Sequence, residues 1–487
     1  KINRSATMSE GNHGNAESDS PWLDRIVTPL NACSLETFLP VSYYYRPVAE
    51  GSGGNEGNKG EKHKHRNVPL VIGCYQLNEP SFSSREELKI GESDDGSDEE
   101  NGDLGPNAKK SSRSGELRLF MIPHPAESLP SPLQSRENAP CQPSIFGDPS
   151  HVLEMESGVL DGKWRRRFDP KHPTSPLFAS ACASGRIHIH SLCHSSKSNL
   201  WSLSHAGSSK ALSSDGGSAL CLALAWNDSS CAEVDNTLNE YSGDQIVSSY
   251  SNGTVALHQV ESIKSDFNDR KVGILETHRW NAHTMFGCPS EVWTCSFLRG
   301  DENVVMSGAD DCSLKVWDIR RTLRPTHEIG DAEFEAGVTA ISCHPYLSHI
   351  FAVGSYDEKV RIFDHRKIDE PLWKVSVGGG VWRIKWHPSC WQVTTKKGDD
   401  SDSNGNVCSG KILVAAMHGG CRILDIPALQ FYELNTTFSD DARVVAEFTA
   451  HESMAYGSDW LWFGPSVNDS VASCSFYDRQ AFMWNPY

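Results

Sequence analysis

A chain of 487 residues could hold two or three ordinary domains or one large closed repeat. With 45 Lys and Arg against 63 Asp and Glu, its net charge of −18 argues against a phosphate-binding surface, and so against nucleic acid. No run of about 18 apolar residues is present, so no membrane-spanning helix is expected. The start, Lys1 to Ser20, lacks the apolar core of a secretory leader. Together these point to a cytoplasmic protein. The fifteen cysteines include no C-x-x-C pair, which predicts buried, reduced thiols rather than a zinc or redox motif, and no metal or cofactor.

In chain order, residues 1–20 read as disordered and 21–487 as one repeat domain. The segment around Trp22–Val27 is expected to supply the strand that closes the last repeat. Val68–Tyr75 and Glu116–Met121 read as hairpin partners. The connection between them contains Gly91–Asp103, which has seven acids and no apolar residue, a solvated insert. A short phrase then recurs: small residues, a turn residue, alternating apolar positions, and a bulky residue six places after the turn. Ser307–Asp318 is the clearest copy and Gly354–Asp364 the next; others end at His190, His258, Leu424 and Trp484. The phrase predicts a tight hairpin between half-buried antiparallel strands. Val292–Phe297, Val338–Cys343 and Val381–Trp386 read as an earlier strand of each unit. Stretches 50–66, 81–115, 204–217 and 396–410 are rich in Gly, Ser and Asp and read as loop insertions. Seven such units predict an all-β, seven-bladed WD40-type β-propeller with disordered loop insertions.

Several less common strings lie in the second half. They are Gly378-Gly379-Gly380-Val381-Trp382-Arg383-Ile384-Lys385-Trp386-His387-Pro388, Met417-His418-Gly419-Gly420, Tyr456-Gly457-Ser458-Asp459-Trp460 and Ser473-Cys474-Ser475-Phe476-Tyr477-Asp478. Together with Gly354–Asp364, these closely resemble the WD-repeat diphthine methylesterase family of the diphthamide pathway, also called diphthine methyltransferase, in what looks like a plant version. The resemblance is strong from about Trp280 to Trp484 and looser over Val68–Val260. It implies a monomeric propeller that hydrolyses the methyl ester of methylated diphthine, a modified histidine of translation elongation factor 2. It implies no catalytic residue set.

Ester hydrolysis needs a nucleophile or activated water, a proton acceptor and donors for the oxyanion. Neither a G-x-S-x-G elbow nor an H-E-x-x-H motif is present, and no glycine-rich loop suits a methyl donor. A site must therefore be assembled from several blades. His418 stands in the turn slot held by Asp311, Asp357 and Asp478 elsewhere, where an imidazole could act as base near neutral pH. His451 sits where such repeats place a structural histidine. Asp459 is a charge inside an inner-strand pattern and, if buried, needs a partner such as His418 or His451. Ser475, beside Cys474, is the nearest nucleophile-type hydroxyl. Trp293, Trp382 and Tyr456 could stack on an imidazole and enclose a trimethylammonium group. Asp357 and Asp478 join them as carboxylates for a cationic ligand. The alternative is a non-catalytic scaffold, a common use of this fold.

Overall fold

Strands that bury one face must pair and stack, and here they do so around an axis. The computed structural model describes residues 24–37, 67–78, 112–124, 146–166, 175–210, 219–228, 244–263, 270–391, 394–395, 406–407, 410–426, 442–464 and 467–486. They form seven four-stranded antiparallel sheets. From the axis outward, blade 1 is Asn31–Thr37, Val68–Asn78, Ser112–Ile122 and His151–Met155. The inner strands of blades 2 to 7 are Val159–Trp164, Cys221–Trp226, Thr294–Phe297, Val338–Cys343, Arg383–Trp386 and Ala455–Leu461. Each packs against the next, and Asn31–Thr37 packs against both Val159–Trp164 and Ala455–Leu461, closing the ring. Apolar side chains between neighbouring sheets form the core, for example Leu413, Phe448, Trp460, Phe482 and Trp484 between blades 6 and 7.

The last blade takes its outermost strand from the other end of the chain: Asp24–Val27 pairs with Gln480–Met483. Trp22 lies outside the described residues, as do 1–20, 50–66 and the acidic stretch. The hairpin expected at Val68–Tyr75 and Glu116–Met121 forms and is longer, Val68–Asn78 against Ser112–Ile122. Two insert boundaries are corrected. Residues 204–208 belong to the strand Leu200–Ser208, which pairs with Ile187–Ser195, and 112–115 belong to Ser112–Ile122. Part of 396–410 is also ordered, since Asn406–Val407 pairs with Thr394–Thr395. Among the described residues, no helix is long and apolar enough to cross a membrane.

The recurring histidine and the last residue of the phrase meet through a serine. In blade 4, Trp317 Nε1 donates to Ser307 Oγ at 2.8 Å, His283 Nε2 lies 2.7 Å from the same oxygen, and His283 Nδ1 lies 2.9 Å from Asp311. These polar groups are buried, and each satisfies the next. Blade 7 repeats the pattern with Trp484, Ser473 and His451. In blade 3, His258 stands in the tryptophan slot and contacts Ser248 Oγ at 2.8 Å.

Candidate functional site at the channel mouth

Register shifts reveal how the channel is lined. In blades 1, 2, 3, 5 and 7 the inner strand carries a bulge at Cys33, Leu160, Leu222, Thr339 and Tyr456. A bulge re-aims a side chain and locally bends the strand. Trp293 and Trp382 occupy the same place in blades 4 and 6, just before the paired residues. One position per blade therefore rings one end of the channel, and it is aromatic in blades 4, 6 and 7.

The structure brings the three expected aromatic residues together. Trp293 and Trp382 have ring centroids 5.6 Å apart, and Trp382 and Tyr456 4.9 Å. Tyr356, from the hairpin turn of blade 5, stands 6.3 Å from Trp293 and 6.2 Å from Trp382. Phe476 continues the belt to Tyr75, at 5.4 Å from Tyr456 and 4.9 Å from Tyr75. Glycines allow this crossing. A Cβ on Gly380 would lie 3.0 Å from Met417 Sδ and 3.3 Å from Tyr356, and one on Gly158 would collide with Tyr75. Burial pushes the Tyr75 hydroxyl up to about 12 and raises those of Tyr356 and Tyr456, so all three remain neutral donors.

Two polar groups at this end stand out. Asp310 accepts a 2.5 Å bond from Trp293 Nε1, and burial, with Glu291 nearby, raises its carboxyl above the usual range despite that bond. Trp382 Nε1 is buried and has no acceptor among the described residues. A buried donor left unpaired is costly, and such cases call for an explanation.

Below the mouth, between the inner strands, lies a cavity of about 190 Å³. Three residues beyond the ring position stand Glu36, Lys163, Lys385 and Asp459, on blades 1, 2, 6 and 7. Lys385 Nζ is 2.5 Å from Glu36 and 3.4 Å from Asp459; Lys163 Nζ is 2.9 Å from Glu36 and 2.8 Å from Asp161. Burial alone would raise the Glu36 carboxyl, but the two lysines overcome it and hold it at about 2. Arg383, next to Trp382, reaches Asp161 at 3.1 Å. At this tier the other three blades carry Ala225, Ser296 and Ser342, while Arg166, Asp228 and Arg299 also line the space. At this tier, three residues beyond the ring position, the charge is thus confined to one arc of the ring.

The four proposed catalytic residues do not share hydrogen bonds. His418 is 64% exposed on the rim, with Glu358 Oε1 3.6 Å from Nε2. His451 is partly buried beside Phe448 and Phe482, and desolvation there holds it down to about 4, hence neutral. Ser475 donates to Asp478, and the adjacent Cys474 thiol is pushed up to about 12 by burial. The partner expected for Asp459 is corrected: it faces Lys385, not His418 or His451, and accepts a 3.0 Å bond from the Thr37 backbone N–H. Asp357 is held by Arg361 at 2.6 Å, and Asp478 caps the Glu452 and Gln480 backbone N–H groups. The carboxylate that touches the aromatic ring is Asp310 instead. It immediately precedes the turn slot, as Tyr356 does in the next blade, and the repeat spacing could have singled it out. Among the described residues, no group of three or more His, Cys, Asp or Glu is placed to hold a metal ion.

Comparison with known proteins adds the family. Residues 277–318 and 325–364 match the family model described as WD domain, G-beta repeat. The diphthine methyltransferase homolog of Dictyostelium discoideum is 30% identical over 347 residues, which covers 69% of this chain and 78% of that protein. The diphthine methyltransferase of Schizosaccharomyces pombe is 27% identical over 341 residues, 68% of this chain and 80% of that protein. The human diphthine methyltransferase is 30% identical over 309 residues, 63% of this chain and 56% of that protein. With a seven-bladed WD-repeat fold and this extent of similarity, the chain belongs to the diphthine methyltransferase family.

Proposed function

We propose that this propeller is a cytoplasmic carboxylic ester hydrolase. Its substrate is the methyl ester of methylated diphthine on translation elongation factor 2, and its product is diphthine, ready for amidation. The observation that carries this reading is the aromatic mouth with its unpaired indole donor. Trp293, Tyr356, Trp382 and Tyr456 offer π faces to a trimethylammonium group, an attraction of about 0.5–2 kcal/mol depending on desolvation. Asp310 adds a carboxylate on the same side. The buried Trp382 N–H has no acceptor among the described residues and suits the ester carbonyl.

In the reaction, water adds to the carbonyl carbon, and the oxyanion takes hydrogen bonds from Trp382 Nε1 and the Arg383 guanidinium. The C–O bond to methoxide then breaks, and methoxide leaves as methanol after protonation. His418, the accessible imidazole among the candidates, takes the proton from water and returns it to the leaving group. His451, Ser475 and Asp459 serve the fold through the contacts described above.

The test is purified protein incubated with methylated-diphthine elongation factor 2 and followed by mass spectrometry. The expected result is loss of about 14 Da from the factor, with methanol released in equal amount. No mass change at any enzyme concentration would remove the esterase reading and leave the scaffold.

A further inference from the structure

Between the outer strand of blade 3, Lys271–Asn281, and the inner strand of blade 4, the chain makes a two-stranded ribbon, Thr284–Met285 against Cys288–Pro289. Its two-residue turn is Phe286-Gly287, with φ of 50° and 80°. Both values lie in the left-handed region, as a type I′ hairpin requires, and Asn-Gly is the sequence such a turn favours. A bulky aromatic residue there is a genuine outlier, because its Cβ crowds the backbone. Phe286 is also 100% exposed, so no packing against the described residues compensates.

The ribbon is nonetheless firmly seated. Ala282 and His283 donate to the Gly253 carbonyl, and His283 is buried in the Asp311–Ser307–Trp317 chain. From Pro289 the chain runs through Ser290 and Glu291 directly to Trp293 of the mouth, and the Glu291 carbonyl accepts from Asp310 N–H. One short segment therefore carries a strained, exposed aromatic residue at one end and a member of the aromatic ring at the other. Glu291 and Asp310 lie between them, an acidic approach to the mouth.

We infer that Phe286 is a docking anchor for the protein that carries the cationic side chain read by the mouth. Its ring enters an apolar recess on that protein, beside basic residues that complement Glu291 and Asp310. Exposed aromatic residues that become buried on association dominate binding energy in many interfaces. This inference rests on the proposed function for the identity of the partner.

The test compares wild type with Phe286→Asn, which relaxes the turn, and Phe286→Tyr, which retains the ring. With methylated-diphthine elongation factor 2, Phe286→Asn should raise KM about tenfold with kcat nearly unchanged, and Phe286→Tyr should stay close to wild type. On a small trimethylammonium methyl ester, all three should be equal. The melting temperature of Phe286→Asn should equal or exceed that of wild type, which a structural role would not allow. If wild type hydrolyses the factor and Phe286→Asn has an unchanged KM, the docking inference is overturned and the esterase reading stands. If wild type shows no hydrolysis, direct titration with the factor decides: weaker binding by Phe286→Asn upholds docking alone, and equal or absent binding overturns it.

Discussion

Arg383 of blade 6 reaches Asp161 of blade 2 across the channel, with Nη2 and Oδ1 3.1 Å apart, while its guanidinium lies 5.4 Å from the ring of its own neighbour Trp382. A cation is thereby fixed directly beneath the aromatic mouth. Arg383→Met should lower kcat/KM by at least a hundredfold, as loss of an oxyanion donor does. Asp161 keeps Lys163, so the stability loss in urea unfolding should stay within about 1–3 kcal/mol. Equal losses of kcat/KM and of folded protein would assign Arg383 to the scaffold.

Trp382 should matter for the cation. Trp382→Ala should raise KM for the trimethylammonium ester roughly tenfold, and Trp382→Phe should lie between. Trp382→Phe retains a π face but loses the N–H, so its deficit should fall mainly on kcat. Steady-state kinetics on the small ester would separate the two effects.

His418→Ala should reduce kcat by about 10² to 10⁴ and leave the melting temperature unchanged, because the side chain is exposed and its nearest charged partner is Glu358. His451→Ala should do the reverse in emphasis, losing stability through the Ser473–Trp484 chain. A His418→Ala protein with full activity would discard this base.

Glu36 should govern stability in acid. Its carboxyl titrates at about 2 in the folded protein against an ordinary 4.5, so the folded state favours the ionised form. The stabilisation, on the order of 3 kcal/mol, is complete above pH 4.5 and is lost as pH falls from there towards 2. Glu36→Gln should flatten the unfolding free energy across that window. A slope equal to that of wild type would disprove the assignment.

Buried histidines act at higher pH. His190 is held at about 3, and His258 and His451 at about 4, chiefly by burial, against 6.5 when exposed. The unfolded chain therefore binds more protons between pH 6.5 and 4, and stability must fall as pH drops through that range. His451→Gln should lessen the fall in melting temperature between pH 7 and pH 5.

The propeller is legible in the sequence because its signal is periodic. The Ser307–Asp318 phrase and the segment near Asp24–Val27 each encode a strand and a turn that local chemistry can specify. Trp293, Trp382 and Tyr456 are also legible, since each stands near the start of an inner strand, and they converge in the structure. The charged tier was less so. Glu36, Lys163 and Lys385 each look like an ordinary outward-facing residue within an alternating strand. Only closure of the ring turns that face inward, and Asp459 alone stands out, as a charge inside an inner-strand pattern. Its partner Lys385 comes from the preceding blade, and no local pattern encodes that pairing. Strain at Phe286 depends on φ, which composition does not reveal.

The seam where Asp24–Val27 joins Gln480–Met483 lies in blade 7, one of the four blades whose inner strands carry the charged tier. Glu36 stands on the first inner strand to be synthesised, while Lys385 and Asp459 come from the last two. The arc therefore cannot assemble until the whole chain is available, a long-range pairing of the kind that folds slowly. The proposed oxyanion donor Arg383 is held by Asp161 of blade 2, so the ligand's site is complete only when the join is closed, and binding acts as a clasp. Binding should stabilise the fold by RT ln(1 + [L]/Kd), and so slow unfolding and raise the melting temperature as ligand concentration rises. A propeller nicked or shortened near Asp24 should lose ligand affinity before it loses its blades.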